Sequence, residues 1–251
     1  MSDSLKFMPV WRNEYNVRSY EIDMHRRMRL PVLCQFFQET ATHHTENLGV
    51  SIKDMIKKNM IWILSRQLIH IDAVPKWTDT IRVETWPTDT ERFFCFRDFK
   101  AMNLNGEITA RAMTSWCAID LQTRRPQPTL SYLPADMPLI AERAFPGRQL
   151  KKIESVDGMQ FQEPFRVRYS DLDFNMHVGN VKYIEWIIDA FAPDFFRNLC
   201  LTELEINYLA ETWYGDEIES GCLENGQKQF IHELRRKSDG TVLCRAETKW
   251  G

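Results

Sequence analysis

The chain has 251 residues, of which 43% are hydrophobic and 27% are charged, and its formal net charge at pH 7 is −3. This composition is typical of a folded protein with a substantial core, and the slightly acidic balance argues against strong nucleic-acid binding. No apolar run reaches the length that crosses a bilayer, and the first residues lack the apolar stretch of a secretory signal. We therefore expect a cytoplasmic protein with no membrane partner.

The first half of the chain predicts one long helix followed by a series of strands. Apolar residues recur at helical spacing from Leu33 to Leu48, and Gly49 ends the pattern. A short second helix is predicted to begin at Ser51, with Asp54 closing a capping box. Strand-like runs follow, with a hairpin turn at 105–106 before the last of them. These runs are residues 60–71, 81–86, 93–99 and 108–119.

The second half of the chain predicts the same order of elements. A helical stripe runs from Val181 to Phe191, and Pro193 is predicted to stop it. Four strands follow, and the last two are joined by a turn at 239–240. The predicted strands are residues 204–209, 217–223, 230–236 and 242–250.

Short matches between the two halves indicate a duplicated unit. They occur in the same order in both halves, and the offset shrinks along the chain, so the second copy is the shorter one. The matches place residues 17–18 on 167–168, 79–81 on 216–218 and 111–116 on 245–250.

One long apolar helix followed by an antiparallel meander is typical of a sheet wrapped around that helix. A single copy would leave sheet edges open, whereas two copies can join their edges. We therefore predict an α+β fold, a tandem double hot-dog whose two antiparallel sheets are joined into one continuous sheet. The predicted domains are 1–133 and 161–251, and the proline-containing stretch 134–160 is predicted to connect them.

The run from Arg168 to Tyr183 concentrates short polar residues immediately before the apolar helix of the second copy. Asp171, Asp173, Asn175 and His177 occupy alternate positions. The beginning of the run resembles a calcium-binding EF-hand loop, but the sixth position is methionine rather than glycine and the twelfth is lysine rather than glutamate. A polar turn in which Asn180 caps the helix would explain that asparagine but not His177. The run therefore favours a site that handles a polar reaction centre beside an apolar wall.

The pattern Asp173-x-Asn175-x-His177-Val178-x-Asn180-Val181-x-Tyr183 resembles the signature of acyl-acyl carrier protein thioesterases. These enzymes end fatty-acid synthesis in plant plastids and in some bacteria. Two stretches of the first copy, 62–66 and 75–86, also resemble landmarks of the family, and the resemblance extends from about Tyr15 to Trp250. A plastid transit peptide is not evident, which suits a bacterial-type member.

The resemblance implies a catalytic set made of Asp173, Asn175, His177 and the glutamate of a Tyr-x-x-Glu pattern, which is Glu211 in this chain. The start of the helix, at Asn180 and Val181, is expected to add backbone N–H donors for the oxyanion. In plant members a cysteine follows the glutamate, and it was long regarded as the nucleophile. This chain has Thr212 there, which puts a cysteine nucleophile in doubt.

Thioester hydrolysis needs a positioned water, a base and donors for the developing oxyanion. His177 is the best base or base partner, because histidine is the side chain that most often serves as a general base. Asn175 can donate to the carbonyl, and Asp173 is expected to orient Asn175 or the water, although it also has a structural interpretation. The alternative for Glu211 is an exposed glutamate at a strand end.

The first copy lacks most of this set. Asp23 matches Asp173, but His25, Arg27 and Val74 stand opposite Asn175, His177 and Glu211. We therefore expect catalysis in the second copy and acyl-chain binding in the first.

No cofactor or metal is predicted. The six cysteines form no Cys-x-x-Cys pair, and their spacing favours reduced, buried thiols. The adjacent histidines 43 and 44 have no partner at metal-ligand spacing. Basic clusters at 26–27, 124–125, 148–152 and 235–237 are interpreted as solvated surface, although one of them could dock an acidic carrier protein.

The function predicted first is hydrolysis of fatty acyl-acyl carrier protein, whose partners are the carrier protein and the acyl thioester substrate. The sequence leaves three alternatives open: a hot-dog acyl-CoA thioesterase, a dehydratase acting on the same kind of thioester, and a non-catalytic acyl-thioester sensor. A dehydratase would lack the Asn-x-His-x-x-Asn spacing, and a sensor would not need Glu211. The sequence also leaves a homodimer open.

Overall fold

The computed structural model describes residues 7–251. The chain divides into two compact units, one made of the residues up to Ser65 together with Asp72–Gln149, and the other of Arg66–Ile71 together with Leu150–Gly251. The division after Gln149 falls inside the predicted connection. Strand β2, which spans Met60–Ile71, contributes residues to both units. No helix within residues 7–251 is long and apolar enough to cross a membrane.

The first unit packs one long helix against an antiparallel meander. Helix α1 spans Leu30–Asn47, and it is followed by the short helix α2. The capping box predicted for α2 is present between Ser51 and Asp54. The strands are hydrogen-bonded in the order β1, β3, β4, β5. The remaining bounds are α2 Ile52–Lys57, β1 Trp11–Asn16, β3 Thr80–Thr90, β4 Cys95–Asn103 and β5 Ile108–Asp120.

Aromatic pairs fix helix α1 against the strands of its unit. The rings of Tyr15 and Phe36 stack at 4.3 Å, and those of Phe37 and Phe99 lie 5.0 Å apart. Strand β1, which carries Tyr15, was not predicted, because its alternation is short and lies close to the start of the chain. It pairs with β3 from Trp11↔Thr85 to Asn16↔Thr80. Helix α1 therefore packs against a sheet that is one strand wider than expected.

His44 on helix α1 is a structural residue. Its side chain is fully buried, and its two ring nitrogens contact the Met8 carbonyl at 2.8 Å and the Arg97 guanidinium at 2.9 Å. Burial, assisted by the nearby Arg97 charge, lowers the pKa of His44 to about 4. The ring is therefore neutral near pH 7 and accepts a hydrogen bond from Arg97.

The second unit repeats the helix and meander with a shorter helix. Helix α3 spans Asn180–Ile188 and packs against β10. The helix was predicted to reach Phe191 and to be stopped by Pro193, which is wrong: it ends at Ile188, and Pro193 begins a separate 3₁₀ helix, Pro193–Arg197. The strand order is β2 (its residues 66–70), β8, β11, β10, β9, β6, and β7 also pairs with β9. The bounds are β6 Gln160–Phe161, β7 Phe165–Arg166, β8 Leu201–Tyr208, β9 Glu217–Glu224, β10 Gln229–Arg236 and β11 Val242–Trp250.

The last strand of each meander contains the same side-chain hydrogen bond. The Trp116 indole donates to the Thr114 hydroxyl at 2.9 Å, and the Trp250 indole donates to the Thr248 hydroxyl at 3.0 Å. The α+β prediction with two helix-and-meander units is therefore confirmed, and so is the duplication.

The predicted connection is tied down by buried polar side chains in both units. In the first unit, the buried Asp98 carboxylate accepts the Ala144 N–H at 2.7 Å. In the second unit, Glu205 accepts the Lys151 N–H, and Asn207 accepts the Ile153 N–H, both at 2.9 Å. The composition of this stretch does not predict these contacts, because the strand residues that make them lie 46 to 54 positions away in the chain.

Candidate active site

The Asp173 side chain shapes the polar loop that precedes helix α3. Its Oδ1 accepts the backbone N–H of Asn175 at 2.8 Å and that of His177 at 3.3 Å. Its own N–H donates to the His177 carbonyl at 2.7 Å, and Met176 adopts a left-handed conformation with φ of 64°. These contacts form a tight turn that carries both Asn175 and His177.

The first unit contains the same loop, but His25 and Arg27 stand where the second unit has Asn175 and His177. Asp23 Oδ1 accepts the N–H groups of His25 and Arg27, and Arg26 has φ of 62°. There the Arg27 guanidinium forms an ion pair with Asp23 at 3.1 Å. Because the aspartate holds the loop in both units, its main role is to organise the backbone, which favours the structural interpretation of Asp173.

His177 and Glu211 lie against each other. His177 Nδ1 is 3.5 Å from Glu211 Oε1, and each side chain is 28% exposed. The loop that follows strand β8 carries Glu211 and is held to His177 by a backbone bridge between His177 and Trp213. The Trp213 ring stands perpendicular to the imidazole at 5.9 Å. Because Glu211 engages Nδ1, the Nε2 atom of His177 is left for another partner.

The candidate donors for a developing oxyanion are the amide of Asn175 and the N–H groups in the first turn of α3. Asn175 Nδ2 lies 3.5 Å from Asp173 Oδ2, which orients the amide. The proposal that Asn180 caps the helix is wrong, because Gly179 is the N-cap residue and Asn180 is the first helical residue. The N–H groups of Asn180 and Val181 therefore belong to the first turn, where helix geometry supplies no carbonyl partner.

Thr212 is packed behind the site rather than inside it. Its side chain is fully buried, and its hydroxyl accepts the Tyr183 O–H at 2.8 Å. Burial raises the pKa of Tyr183 well above its usual value, so that the phenol remains a donor. A side chain at position 212 therefore braces helix α3 against the Glu211 loop, and it is poorly placed to attack a substrate.

Arg236 supports Glu211 from behind, and the sequence interpretation missed it. Its guanidinium donates to the Glu211 carbonyl at 2.8 Å, forms ion pairs with Asp216 and Asp239, both at 3.0 Å, and lies over the Trp213 ring at 5.1 Å. The sequence analysis interpreted this arginine as part of a solvated basic cluster at 235–237. The acidic residue three positions later in the hairpin, Asp239, was the one available signal of an internal role.

The cysteines nearest to Glu211 in the chain, Cys200 and Cys222, are expected to be dispensable for turnover. Burial raises the pKa of the Cys222 thiol to about 11, which leaves little thiolate at neutral pH. We expect Cys200→Ser and Cys222→Ser each to change kcat by less than about twofold, because substitutions away from a functional group have small effects. Steady-state thioester cleavage by the two variants checks this, and a large loss with an intact fold would restore a covalent mechanism.

The chain matches two family models in succession. Residues 9–133 match the acyl-ACP thioesterase N-terminal domain, and residues 154–251 match its C-terminal domain. Among curated proteins, the chain is 29% identical to a chloroplastic palmitoyl-acyl carrier protein thioesterase of Arabidopsis thaliana, and the match covers 96% of this chain and 64% of the relative. It is 28% identical to a chloroplastic oleoyl-acyl carrier protein thioesterase of the same plant, over 96% of this chain and 75% of the relative. The chain thus spans less than two thirds of the length of the palmitoyl relative.

A solved structure resembles the chain along its whole length. It is an acyl-ACP thioesterase from Bacteroides thetaiotaomicron, which is 26% identical, has a TM-score of 0.89 and covers 100% of both chains. Together, the two successive family models account for both duplicated units, including the loop of Asp173 and the loop of Glu211. The chain belongs to the acyl-ACP thioesterase family.

Proposed function

We propose that the protein hydrolyses the thioester between a fatty acyl group and acyl carrier protein, which releases the free fatty acid and ends chain elongation. The observation that carries this proposal is the His177–Glu211 contact at 3.5 Å. Asn175, whose amide is oriented by Asp173, lies on the same loop as His177. Attack by water on a carbonyl requires a general base, which a carboxylate partner can assist, and a donor for the oxyanion. The names of the relatives support the substrate class.

In this mechanism, His177 takes a proton from a water molecule while the water oxygen attacks the thioester carbonyl carbon. Glu211 holds the imidazole through Nδ1 and stabilises its protonated form. The Asn175 amide and the N–H groups of Asn180 and Val181 stabilise the oxyanion. When the carbon–sulfur bond breaks, the protonated His177 returns its proton to the departing sulfur. Water thus supplies the hydroxyl of the acid and the hydrogen of the thiol, and no covalent enzyme intermediate forms.

The first unit is assigned to binding of the acyl chain. Its loop keeps the shape given by Asp23, but it holds Arg27 in an ion pair and carries Val74 where the second unit has a glutamate. The loops of this unit that match those of His177 and Glu211 therefore lack a histidine–carboxylate pair. The two relatives described above are named for palmitoyl and oleoyl groups, so that family membership alone does not assign a chain length.

A cytoplasmic location is also proposed. All six cysteines are free thiols, three of them buried, which suits a reducing compartment.

Thiol release from matched substrates tests the proposed function. Purified protein is incubated with palmitoyl-acyl carrier protein and with palmitoyl-CoA, and the new thiol and the free fatty acid are both quantified. We expect both products, in equal amounts, from the carrier substrate. Release from the CoA thioester alone would favour the acyl-CoA alternative, and no release from a series of acyl lengths would exclude thioesterase activity.

A further inference from the structure

Apolar side chains of the second unit are exposed on the loops that hold His177 and Glu211. We name this group of five residues the site rim. Tyr169 is 84% exposed and Met176 is 72% exposed, and the other three members are between 44% and 69% exposed. Exposed aromatic residues grouped beside a site are typical of surfaces that contact another protein. The site rim consists of Tyr169, Phe174, Met176, Trp213 and Tyr214.

Two arginines stand at one side of the site rim. The chain alternates through strand β7, so that Phe165 packs on the Trp186 ring at 5.0 Å and Val167 is buried, while Arg166 and Arg168 point outward and are exposed. Within residues 7–251, neither guanidinium has a carboxylate within ion-pair distance.

The neighbouring carboxylates are already engaged by other cations. Asp216 is paired with Arg236 at 3.0 Å, and Glu217, which lies opposite Arg166 in the strand register, is paired with Lys237 at 3.3 Å. The Arg166 guanidinium instead lies over Gly215, where a Cβ would come within 3.4 Å of Nη2. Gly215 has φ of 88°, a left-handed conformation that favours glycine. Two exposed positive charges are thus left beside an exposed aromatic surface.

The first unit neutralises the corresponding position. Arg18, the counterpart of Arg168, forms an ion pair with Glu21 at 3.4 Å. In the second unit Asp171 occupies the place of Glu21 and likewise accepts the backbone N–H of the arginine, but its ion pair is with Lys182 at 3.9 Å. At this position, the arginine without an ion pair therefore occurs on the copy that carries His177 and Glu211.

We propose that the site rim, together with Arg166 and Arg168, is the surface that docks an acidic acyl carrier protein. This inference rests on the proposed function, because a thioester attached to a carrier must reach His177 past these same loops. The two arginines complement acidic side chains of the carrier, and the aromatic residues contact its apolar side chains. The earlier candidate pair, Arg235 and Arg236, is not available, because Glu219 binds Arg235 at 2.6 Å and Arg236 supports Glu211.

Direct binding tests this surface independently of turnover. A fluorescent carrier protein bearing a non-hydrolysable acyl amide is titrated with the wild type, Arg166→Glu, Arg168→Glu and Arg125→Glu, and anisotropy is recorded at low salt. Arg125 is a matched control, an exposed arginine of the first unit whose reversal changes the net charge equally. We expect each of the first two reversals to raise Kd about fivefold, because an attractive pair is replaced by a repulsive one, and the control to have little effect. High salt should reduce the difference.

Three results would overturn the docking surface. The first is an unchanged Kd, or an equal rise for Arg125→Glu. The second is an equal loss of hydrolysis of acyl-CoA and acyl-carrier substrates, which would mean that the arginines recognise the phosphate of the pantetheine arm. The third is self-association that Tyr169→Ser abolishes in sedimentation velocity, which would assign the surface to a second copy of this chain.

A short thioester, acyl-N-acetylcysteamine, separates this inference from the proposed function. It lacks both the phosphate and the carrier. If the wild type does not cleave any thioester but binds the carrier in an arginine-dependent way, docking stands and the proposed function fails. If the wild type cleaves the short thioester and the reversals do not weaken carrier binding, the proposed function stands and docking fails.

Discussion

His177→Ala and Glu211→Gln are each expected to lower kcat by at least about a hundredfold, the usual scale for loss of an acid–base group. Alanine at 177 removes the base itself. Glutamine at 211 keeps the shape of the side chain but removes the negative charge that lies 3.5 Å from Nδ1, so that the protonated imidazole loses its stabilisation. Single-turnover cleavage of acyl-carrier substrate measures the chemical step without interference from product release.

Another histidine–glutamate pair, on the surface of helix α1, provides a control for these two substitutions. On helix α1, His43 Nε2 lies 3.3 Å from Glu39 Oε1. His43→Ala removes a chemically similar pair from the first unit, and we expect kcat to remain within about twofold of the wild type, because the substitution is on a helix surface. Near-normal turnover by folded His177→Ala or Glu211→Gln would show that the site has been placed wrongly.

Arg236→Ala is expected to lower kcat about tenfold while changing KM little. The guanidinium holds the backbone of Glu211 and packs on Trp213, and a lost hydrogen bond to a charged donor costs about 1.5–3 kcal/mol. Arg236→Lys should not restore the rate, because one ammonium cannot reproduce the planar fork that reaches Asp216, Asp239 and the Glu211 carbonyl together.

Arg235→Ala is the matched control for this effect. Arg235 is the preceding residue on the same strand, but it pairs with Glu219 and lies 3.5 Å above the Phe161 ring, so that its loss should leave kcat almost unchanged. A double variant distinguishes positioning from general destabilisation. If Arg236 acts through Glu211, Arg236→Ala should cost little more in the Glu211→Gln background, whereas full additivity would contradict this role.

Local spacing predicted the parts of the site that lie close together in the chain. Asp173, Asn175 and His177 fall within five residues, and the structure joins them in one turn. Glu211 was found through the Tyr-x-x-Glu pattern, although 34 positions separate it from His177. No sequence pattern pointed to Arg236, because its contact with the Glu211 carbonyl forms only when the β10–β11 hairpin folds back on the Glu211 loop.

The fold shows the same division between local and distant signals. Helical periodicity predicted α1 well, since apolar residues spaced three and four apart lie on its buried face. The length of α3 was overestimated, because Phe191 continues the apolar pattern but packs instead on Phe195 at 4.3 Å, beyond the end of the helix. The polar residues of β8 could not be interpreted from alternation, since Glu205 and Asn207 are buried by the connection that they bind.

The pairing of β2 with β8 has a consequence for the protein while it is being synthesised. The second half of β2 meets β8 from Arg66↔Asn207 to His70↔Glu203, so that strands distant in sequence are partners. Between the end of β2 at Ile71 and the start of β8 at Leu201 the ribosome adds 130 residues, which takes roughly 7–26 seconds at typical translation rates. During that interval one edge of this segment lacks its native partner, and unpaired strand edges invite association with other chains. The nascent protein is therefore exposed to association through this edge until β8 has left the ribosome, and chaperones that bind extended apolar segments would act in that interval.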